Sequence, residues 1–287
     1  MAVVAFVGLG RMGYPMAGHL AAAGHRVRVF NRSPDKALRW AGEHPGTACA
    51  SVAEAAAGAD VLALCVGADE DVRETVLAAL DALKPDAVIA DHTTTSAGLA
   101  EEMAALCAAR GRIFVDAPVS GGEAGAKAGQ LTIMCGGDAE GFVRAHPVLS
   151  VYAKKIALMG PPGFGQKTKM VNQICIAGLV QALSEGLHFA RNAGLNPRAV
   201  VEVISKGAAQ SWQMENRWET MTQSQFDFGF AVDHMRKDLA ICLAEAERNG
   251  ATLPVTALVD RFYAEVQAMG GRRWDTSSLI ARLNGRG

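Results

Sequence analysis

Over roughly the first 160 residues, short runs of apolar side chains alternate with stretches in which apolar positions recur every three or four residues. The runs fall at 3–7, 26–30, 61–66, 87–90, 113–115, 131–135 and 155–158. Several lack polar alternation, which suits strands covered on both faces. Helical spacing over 53–58, 71–83 and 98–110, together with a helix after each glycine-rich strand tip, completes a strand–helix rhythm. That rhythm predicts a doubly wound α/β sheet of Rossmann type. The pattern changes at Gly160-Pro161-Pro162-Gly163, after which no strand-like run alternates with helix. Helices are expected at about 165–192, 196–207, 239–248 and 254–269, with Asn196-Pro197 as an N-terminal signal and Gly194 as a stop. The expected division is therefore an α/β domain over 1–162 and an all-helical domain over 163–287.

The tips of the predicted strands carry the candidate chemistry. Gly8-Leu9-Gly10-Arg11-Met12-Gly13 has the spacing G-x-G-x-x-G between the first strand and its helix. The first glycine permits a tight turn, the second lets backbone approach a pyrophosphate, and the third lets helix pack close to strand. The second strand ends in Asn31-Arg32-Ser33, where such a fold meets the adenosine ribose. No acid stands there to bind both ribose hydroxyls, and Arg32 can pair with a 2′-phosphate, so NADP(H) is expected in preference to NAD(H). Cys65-Val66-Gly67 closes the third run at the same edge of the sheet. At the fifth tip, Ser120, Gly121 and Gly122 can offer a concave set of donors to a carboxylate.

On the first predicted helix of the second half, Lys169 is followed by Asn172 and Gln173 at i+3 and i+4, which places the three on one face. A lysine on an otherwise apolar helix is an acid/base candidate, because desolvation lowers an ammonium pKa. The loop 207–212 is expected to cover the cleft, with Trp212 as a wall that selects substrate. Each feature has a plainer reading: a solvated charge at Arg32, a turn that merely needs its glycines, a surface lysine, a tryptophan in an interdomain core.

Composition narrows the class. Hydrophobic residues make up 50% of the 287 and charged residues 20%, enough for substantial cores. The net charge of −1 gives no basic field for nucleic acid or an anionic membrane. No apolar run approaches a bilayer span. The six cysteines are scattered without a C-x-x-C pair and read as buried free thiols, the seven histidines show no metal-ligand spacing, and no leader pattern precedes the first strand. A cytoplasmic protein without a metal is expected.

Four motifs in order, Gly8-Leu9-Gly10-x-Met12-Gly13-x-x-Met16-Ala17, Asp116-Ala117-Pro118-Val119-Ser120-Gly121-Gly122, Gly163-x-Gly165-Gln166-x-x-Lys169 and Lys237-Asp238-Leu239, span nearly the whole chain. In these the sequence resembles the β-hydroxyacid dehydrogenase family, near its 3-hydroxyisobutyrate dehydrogenase branch. The resemblance implies a dinucleotide-binding domain, a helical domain like that of 6-phosphogluconate dehydrogenase, and a homodimer or homotetramer. It implies hydride transfer between the cofactor and a small β-hydroxyacid or semialdehyde, with Lys169 as general acid/base and Ser120, Gly121 and Gly122 on the substrate carboxylate. Thr94 and Lys237 would touch cofactor, and Phe230 and Asp238 would lie near the substrate pocket or the cofactor. Many relatives place asparagine four residues after the lysine, where this chain has Gln173, so the substrate-contacting amide is either Asn172 or Gln173. Imine reduction and a non-catalytic NADP-binding scaffold occur on related architectures, and the retained Lys169 argues against both.

Overall fold

In the computed structural model, which describes residues 1–284, β1 (Val3–Val7) lies inside a nine-stranded sheet. The chain continues through α1 (Gly13–Ala22), β2 (Arg26–Phe30), α2 (Pro34–Glu43), β3 (Gly46–Ala48), α3 (Val52–Ala56), β4 (Val61–Leu64), α4 (Asp69–Ala79), β5 (Val88–Asp91) and α5 (Ala97–Ala108). It then forms β6 (Ile113–Asp116), β7 (Val119–Ser120), α6 (Gly122–Lys127), β8 (Leu131–Gly136), α7 (Ala139–Leu149) and β9 (Ala153–Gly160). In space the strands run β3-β2-β1-β4-β5-β6-β8-β7, with β9 beside β8. Val4 pairs with Val27 on one side and Val61 on the other, all in parallel, so the strand order reverses between β1 and β4. Such a reversal opens a ligand crevice at the carboxyl ends of the strands.

Alternate residues of these strands bury on opposite faces. Val4, Phe6, Val61, Ala63, Val88 and Ala90 join one apolar cluster with Met16 and Leu20 of α1. Ala5, Val7, Leu62, Leu64 and Ile89 join another with Val72 and Val76 of α4 and Leu99 and Met103 of α5. Burial on both faces, worth about 1.5–3 kcal/mol per large aliphatic side chain, is what makes these strands read as unbroken apolar runs.

The Rossmann-type sheet followed by helices agrees with the pattern in the sequence, and several details differ. β3 and β7 go unannounced because they are three and two residues long, too short to show a pattern. The last part of the sheet is not parallel: β8 runs antiparallel to both β6 and β7. The third apolar run ends as strand at Leu64, leaving Cys65, Val66 and Gly67 in the tip loop. Cys175 is exposed and Cys65 half-buried, so not every thiol is sequestered.

The chain divides into two compact units at residues 169 and 170. That division falls within α8 (Phe164–Asn192), 29 residues long. The second unit continues with α9 (Pro197–Ile204), α10 (Trp212–Thr222), α11 (Val232–Asn249), α12 (Pro254–Ala268) and α13 (Ala281–Asn284). Ala177, Val180, Val232, Leu239, Val259 and Tyr263 form one of its cores. Leu183, Leu187, Val201, Met214 and Met221 form another. α10 corrects the sequence expectation, since Trp212 opens a helix instead of ending a loop. Ser211 caps that helix by accepting from Met214 N at 3.1 Å, and Met214 and Met221 bury its inner face. α11 likewise starts at Val232, a full two turns before the expected 239. No helix among the described residues is long and apolar enough to cross a membrane.

A buried histidine fastens the edge of the sheet where the site lies. His92, just past β5, donates from Nδ1 to Ala117 O at 2.7 Å and accepts at Nε2 from the Tyr152 hydroxyl at 2.9 Å. Burial holds it neutral, with its pKa lowered from 6.5 to about 4 against the smaller opposing effect of the Ala117 bond. Its contribution to stability is therefore complete above pH 6.5 and is lost as pH falls through 4, amounting to about 3 kcal/mol between pH 7 and pH 4. His92→Asn should flatten the pH dependence of urea unfolding over that interval by about this much. Parallel curves for the two proteins would contradict the assignment.

Candidate cofactor and active site

The turn between β1 and α1 is built from backbone packed on backbone. Gly8 has φ +94°, and a Cβ there would stand 2.2 Å from Cys65 O at the tip of β4. A Cβ on Gly13 would stand 1.9 Å from Gly8 O and 2.8 Å from the Phe6 ring. Around Gly10, by contrast, a Cβ would meet nothing within 4 Å. Two glycines thus close the turn and the middle one faces open space, the arrangement a dinucleotide pyrophosphate requires. No side chain caps the start of α1, and amides at a helix N-terminus are ready donors to phosphate. These residues fit the cofactor implied by the motif.

Leu9 N donates to Asn31 Oδ1 at 2.8 Å, and Asn31 Nδ2 donates to Ser33 O at 3.0 Å. Asn31 therefore ties the glycine turn to the tip of β2. Beside it the Arg32 side chain is 94% exposed, with its guanidinium 3.6 Å from Asp71. A surface pair at that distance holds it weakly and leaves it able to meet an anion. Asp71 also accepts from Ala68 N at 3.0 Å, and a Cβ on Gly67 would strike its carboxylate at 2.3 Å. Val66 N donates to Thr93 Oγ1 at 3.0 Å, which joins the tips of β4 and β5.

The loop at Ser120–Gly122 and the helix α6 after it lie against the glycine turn and α1. His19 of α1 donates from Nε2 to Ala126 O at 3.0 Å, and Arg11 pairs with Glu123 of α6 at 3.6 Å. Ser120 is half-buried in β7, paired with Thr132. Gly121 (φ +128°) and Gly122 (φ +60°) are exposed and adopt backbone conformations that favour glycine.

At the carboxyl ends of β5 and β6 the start of α8 is held by two buried side chains. Asp116, the last residue of β6, accepts from Gly163 N and Gln166 N at 2.8 Å each. Burial pushes its carboxyl above the usual range, while the amides of Gly163, Gln166 and Gly165 pull the other way. The fit is close: a Cβ on Gly136 would stand 2.5 Å from its oxygen, and one on Gly165 would stand 2.7 Å away. Gln166 is wholly buried, accepting from Thr95 N at 3.1 Å and donating to Thr93 O at 2.7 Å. One turn further along, Lys169 is only 6% exposed. Lys167 sits on the outer side of the helix and pairs with Glu101 at 3.2 Å. Spacing singles out Lys169, but the partners of Asp116, Thr93 and Gln166 lie many tens of residues away, and only the presence of Asp116 and Gln166 in the recurring motifs hinted at them.

In the second unit four candidates form a single chain of polar contacts. Asn172 Nδ2 donates to Gln173 Oε1 at 2.8 Å, Gln173 Nε2 donates to Asp238 Oδ2 at 2.6 Å, and Lys237 Nζ lies 3.3 Å from Asp238 Oδ1. Gln173 and Asp238 are buried and Asn172 is partly exposed. Trp212, 51% exposed, and Phe230 belong to a second group joined by residues the sequence did not flag. Arg217 stacks over Trp212 at 4.8 Å and pairs with buried Asp275 at 3.3 Å, and Asp275 accepts from Phe230 N at 2.9 Å. Among the described residues no three His, Cys, Asp or Glu side chains are grouped to hold a metal.

Comparison with known proteins places both halves. Residues 3–160 match the family described as the NAD binding domain of 6-phosphogluconate dehydrogenase, and residues 163–283 match that described as NAD-binding of NADP-dependent 3-hydroxyisobutyrate dehydrogenase. An uncharacterized oxidoreductase of Shewanella frigidimarina is 58% identical, covering 99% of this chain and 98% of that one. The “Probable 3-hydroxyisobutyrate dehydrogenase-like 1, mitochondrial” of Arabidopsis thaliana is 40% identical over 98% of this chain and 84% of its own length. The solved structure of Mycobacterium tuberculosis 3-hydroxyisobutyrate dehydrogenase with L-serine has a TM-score of 0.91 at 33% identity, covering 99% of this chain and 100% of that one.

The glycine geometry separates folding from binding. Gly13→Ala should lower Tm markedly or prevent folding. Gly10→Ala should fold with Tm within a few degrees of wild type and bind NADPH at least about tenfold more weakly, a methyl then filling the space in which such a turn receives a pyrophosphate. Fluorescence titration and calorimetry test this, and unchanged NADPH affinity in Gly10→Ala would contradict it.

Proposed function

The chain belongs to the β-hydroxyacid dehydrogenase family of NAD(P)-dependent oxidoreductases, and from that premise we propose an NADP(H)-linked interconversion of a short β-hydroxyacid and its semialdehyde, with Lys169 as general acid/base. The observation that carries this reading is the setting of Lys169. It is a nearly buried lysine on a helix whose first turn is fastened to the tips of β5 and β6, on the same edge of the sheet as the glycine turn.

The turn at Gly8, Gly10 and Gly13 would hold the pyrophosphate, Arg32 the 2′-phosphate, and the tips at Cys65–Gly67 and Thr94 the remainder of the cofactor. When bound, the nicotinamide supplies or accepts the hydride. In oxidation Lys169 takes the proton of the substrate hydroxyl at Nζ. In reduction the ammonium stabilises negative charge growing on the carbonyl oxygen and then gives up its proton. Burial excludes water from this exchange and strengthens the electrostatic contribution. Ser120 Oγ and the amides of Gly121 and Gly122 would grip the substrate carboxylate, fixing register. Such positioning removes about 7–11 kcal/mol of entropic barrier in favourable cases.

Of the two amides after the lysine, we assign the substrate contact to Asn172. Gln173 is spent on Asp238 and Asn172, and so orients its neighbour. Within the second unit, Trp212 and Phe230, linked through Arg217 and Asp275, are the residues to which we assign substrate selection. The solved relative with L-serine, itself a β-hydroxyacid, supports the substrate class. Candidates are 3-hydroxyisobutyrate and tartronate semialdehyde within the β-hydroxyacid couples, and the aldehyde acids glyoxylate and succinic semialdehyde beside them.

Lys169→Ala should lower kcat by at least about 100-fold with NADPH affinity nearly unchanged, measured by absorbance turnover and binding titration. Equal losses in both would reassign the lysine to cofactor binding. Arg32→Asp should reverse the NADPH-over-NADH ratio of kcat/KM, since the substituted acid repels a 2′-phosphate and accepts from ribose hydroxyls. An unchanged ratio would remove Arg32 from cofactor selection.

A further inference from the structure

We propose that Gln166 is a positioning residue for this reaction: its side-chain amide clamps the loop after β5 to the first turn of α8 and so sets where Lys169 stands relative to that loop. The clamp rests on the preceding assignment of Lys169 and adds a residue to it. Gln166 Oε1 accepts from Thr95 N and Nε2 donates to Thr93 O, so the backbone on both sides of Thr94 is tied to one wholly buried side chain. The loop end of the clamp is braced in turn. Thr93 N donates to Asp91 Oδ1 at 2.9 Å, and Thr93 Oγ1 accepts from Val66 N. The helix end is braced by Gln166 N donating to Asp116. Lys169 follows at i+3, on the same side of α8 as Gln166. The site needs an acceptor and a donor from one planar group, which an amide supplies and a carboxylate does not.

That requirement gives a test with a readout that a merely space-filling residue would not move. In Gln166→Glu a protonated carboxyl can still donate to Thr93 O and accept from Thr95 N, whereas the ionised form has no donor. The charged and titratable groups about position 166 are Asp116, which accepts its amide, Asp91 at the root of the loop, buried neutral His92 beside it, Lys169 one turn on, and the Lys167–Glu101 pair outside. The kcat of Gln166→Glu, divided by that of wild type at each pH, should be within a few-fold of unity at the acidic end. It should fall about 10–100-fold as the carboxyl ionises. Gln166→Leu should be low throughout, and far-UV circular dichroism confirms the folding of each variant. In the wild-type holoenzyme the Thr95 amide should be strongly protected from hydrogen exchange, a measurement that needs no variant to fold.

A flat kcat ratio in Gln166→Glu, wild-type kcat in Gln166→Leu, or free exchange at Thr95 would each overturn the clamp. Lys169→Ala measured alongside keeps the two claims apart. If it retains wild-type kcat, the lysine assignment fails and, with it, the catalytic consequence of the clamp. If it loses kcat while Gln166→Glu tracks wild type at every pH, only the clamp fails.

Discussion

Backbone packed on backbone where the strand order reverses is the constraint on which the N-terminal unit depends. Gly8 lies against the carbonyl of Cys65 and Gly13 lies against the carbonyl of Gly8, each closer than any side chain could allow. With those contacts made, α1 follows β1 directly and the space above Gly10 stays open. A different residue at either closing position would lift the helix from the strand, and the crevice would lose its floor. The steric demand therefore acts on fold and on ligand binding through the same few atoms.

A second knot, of polar groups, stands at the neighbouring strand ends. Asp116 and Gln166 are buried and fully engaged, and between them they join β6, the loop after β5 and the start of α8. Burying such groups is costly unless their bonds are made, so the arrangement is close to all-or-none. It places a lysine on a rigid element at the carboxyl ends of the strands, the position that open α/β sheets offer to ligands. In the second unit the chain from Asn172 through Gln173 to Asp238 and Lys237 applies the same logic, with buried groups orienting a more exposed one. A single long helix carries Lys169 and Asn172 three residues apart, so the lysine and the amide after it are positioned by one element.

Much of this architecture was legible because strands buried on both faces leave unbroken apolar runs, and the glycine spacing marks the turn between strand and helix. β3 and β7 were not, since two or three residues cannot display a period. α10 is hidden for another reason: Ser211 and the Met214–Met221 spacing carry a helix signal, but Gly207, Ala208 and Ala209 just before it have the composition of a loop. At the candidate site, local spacing brings out Gly8, Gly13 and Lys169, whereas the bonds of Gln166 to Thr93 and Thr95 span more than seventy residues and follow no local rule. Arg217 and Asp275, which support Trp212 and Phe230, were invisible for the same reason.

In the proposed reaction a dinucleotide lies over the glycine turn and Lys169 exchanges a proton with a substrate hydroxyl. A crystal structure of the protein with NADP+ and a short β-hydroxyacid tests it most directly. The pyrophosphate should lie against Gly10 and the Lys169 Nζ about 3 Å from the substrate hydroxyl oxygen. A dinucleotide seated elsewhere, or an Nζ turned away from that oxygen with another side chain in its place, would contradict it.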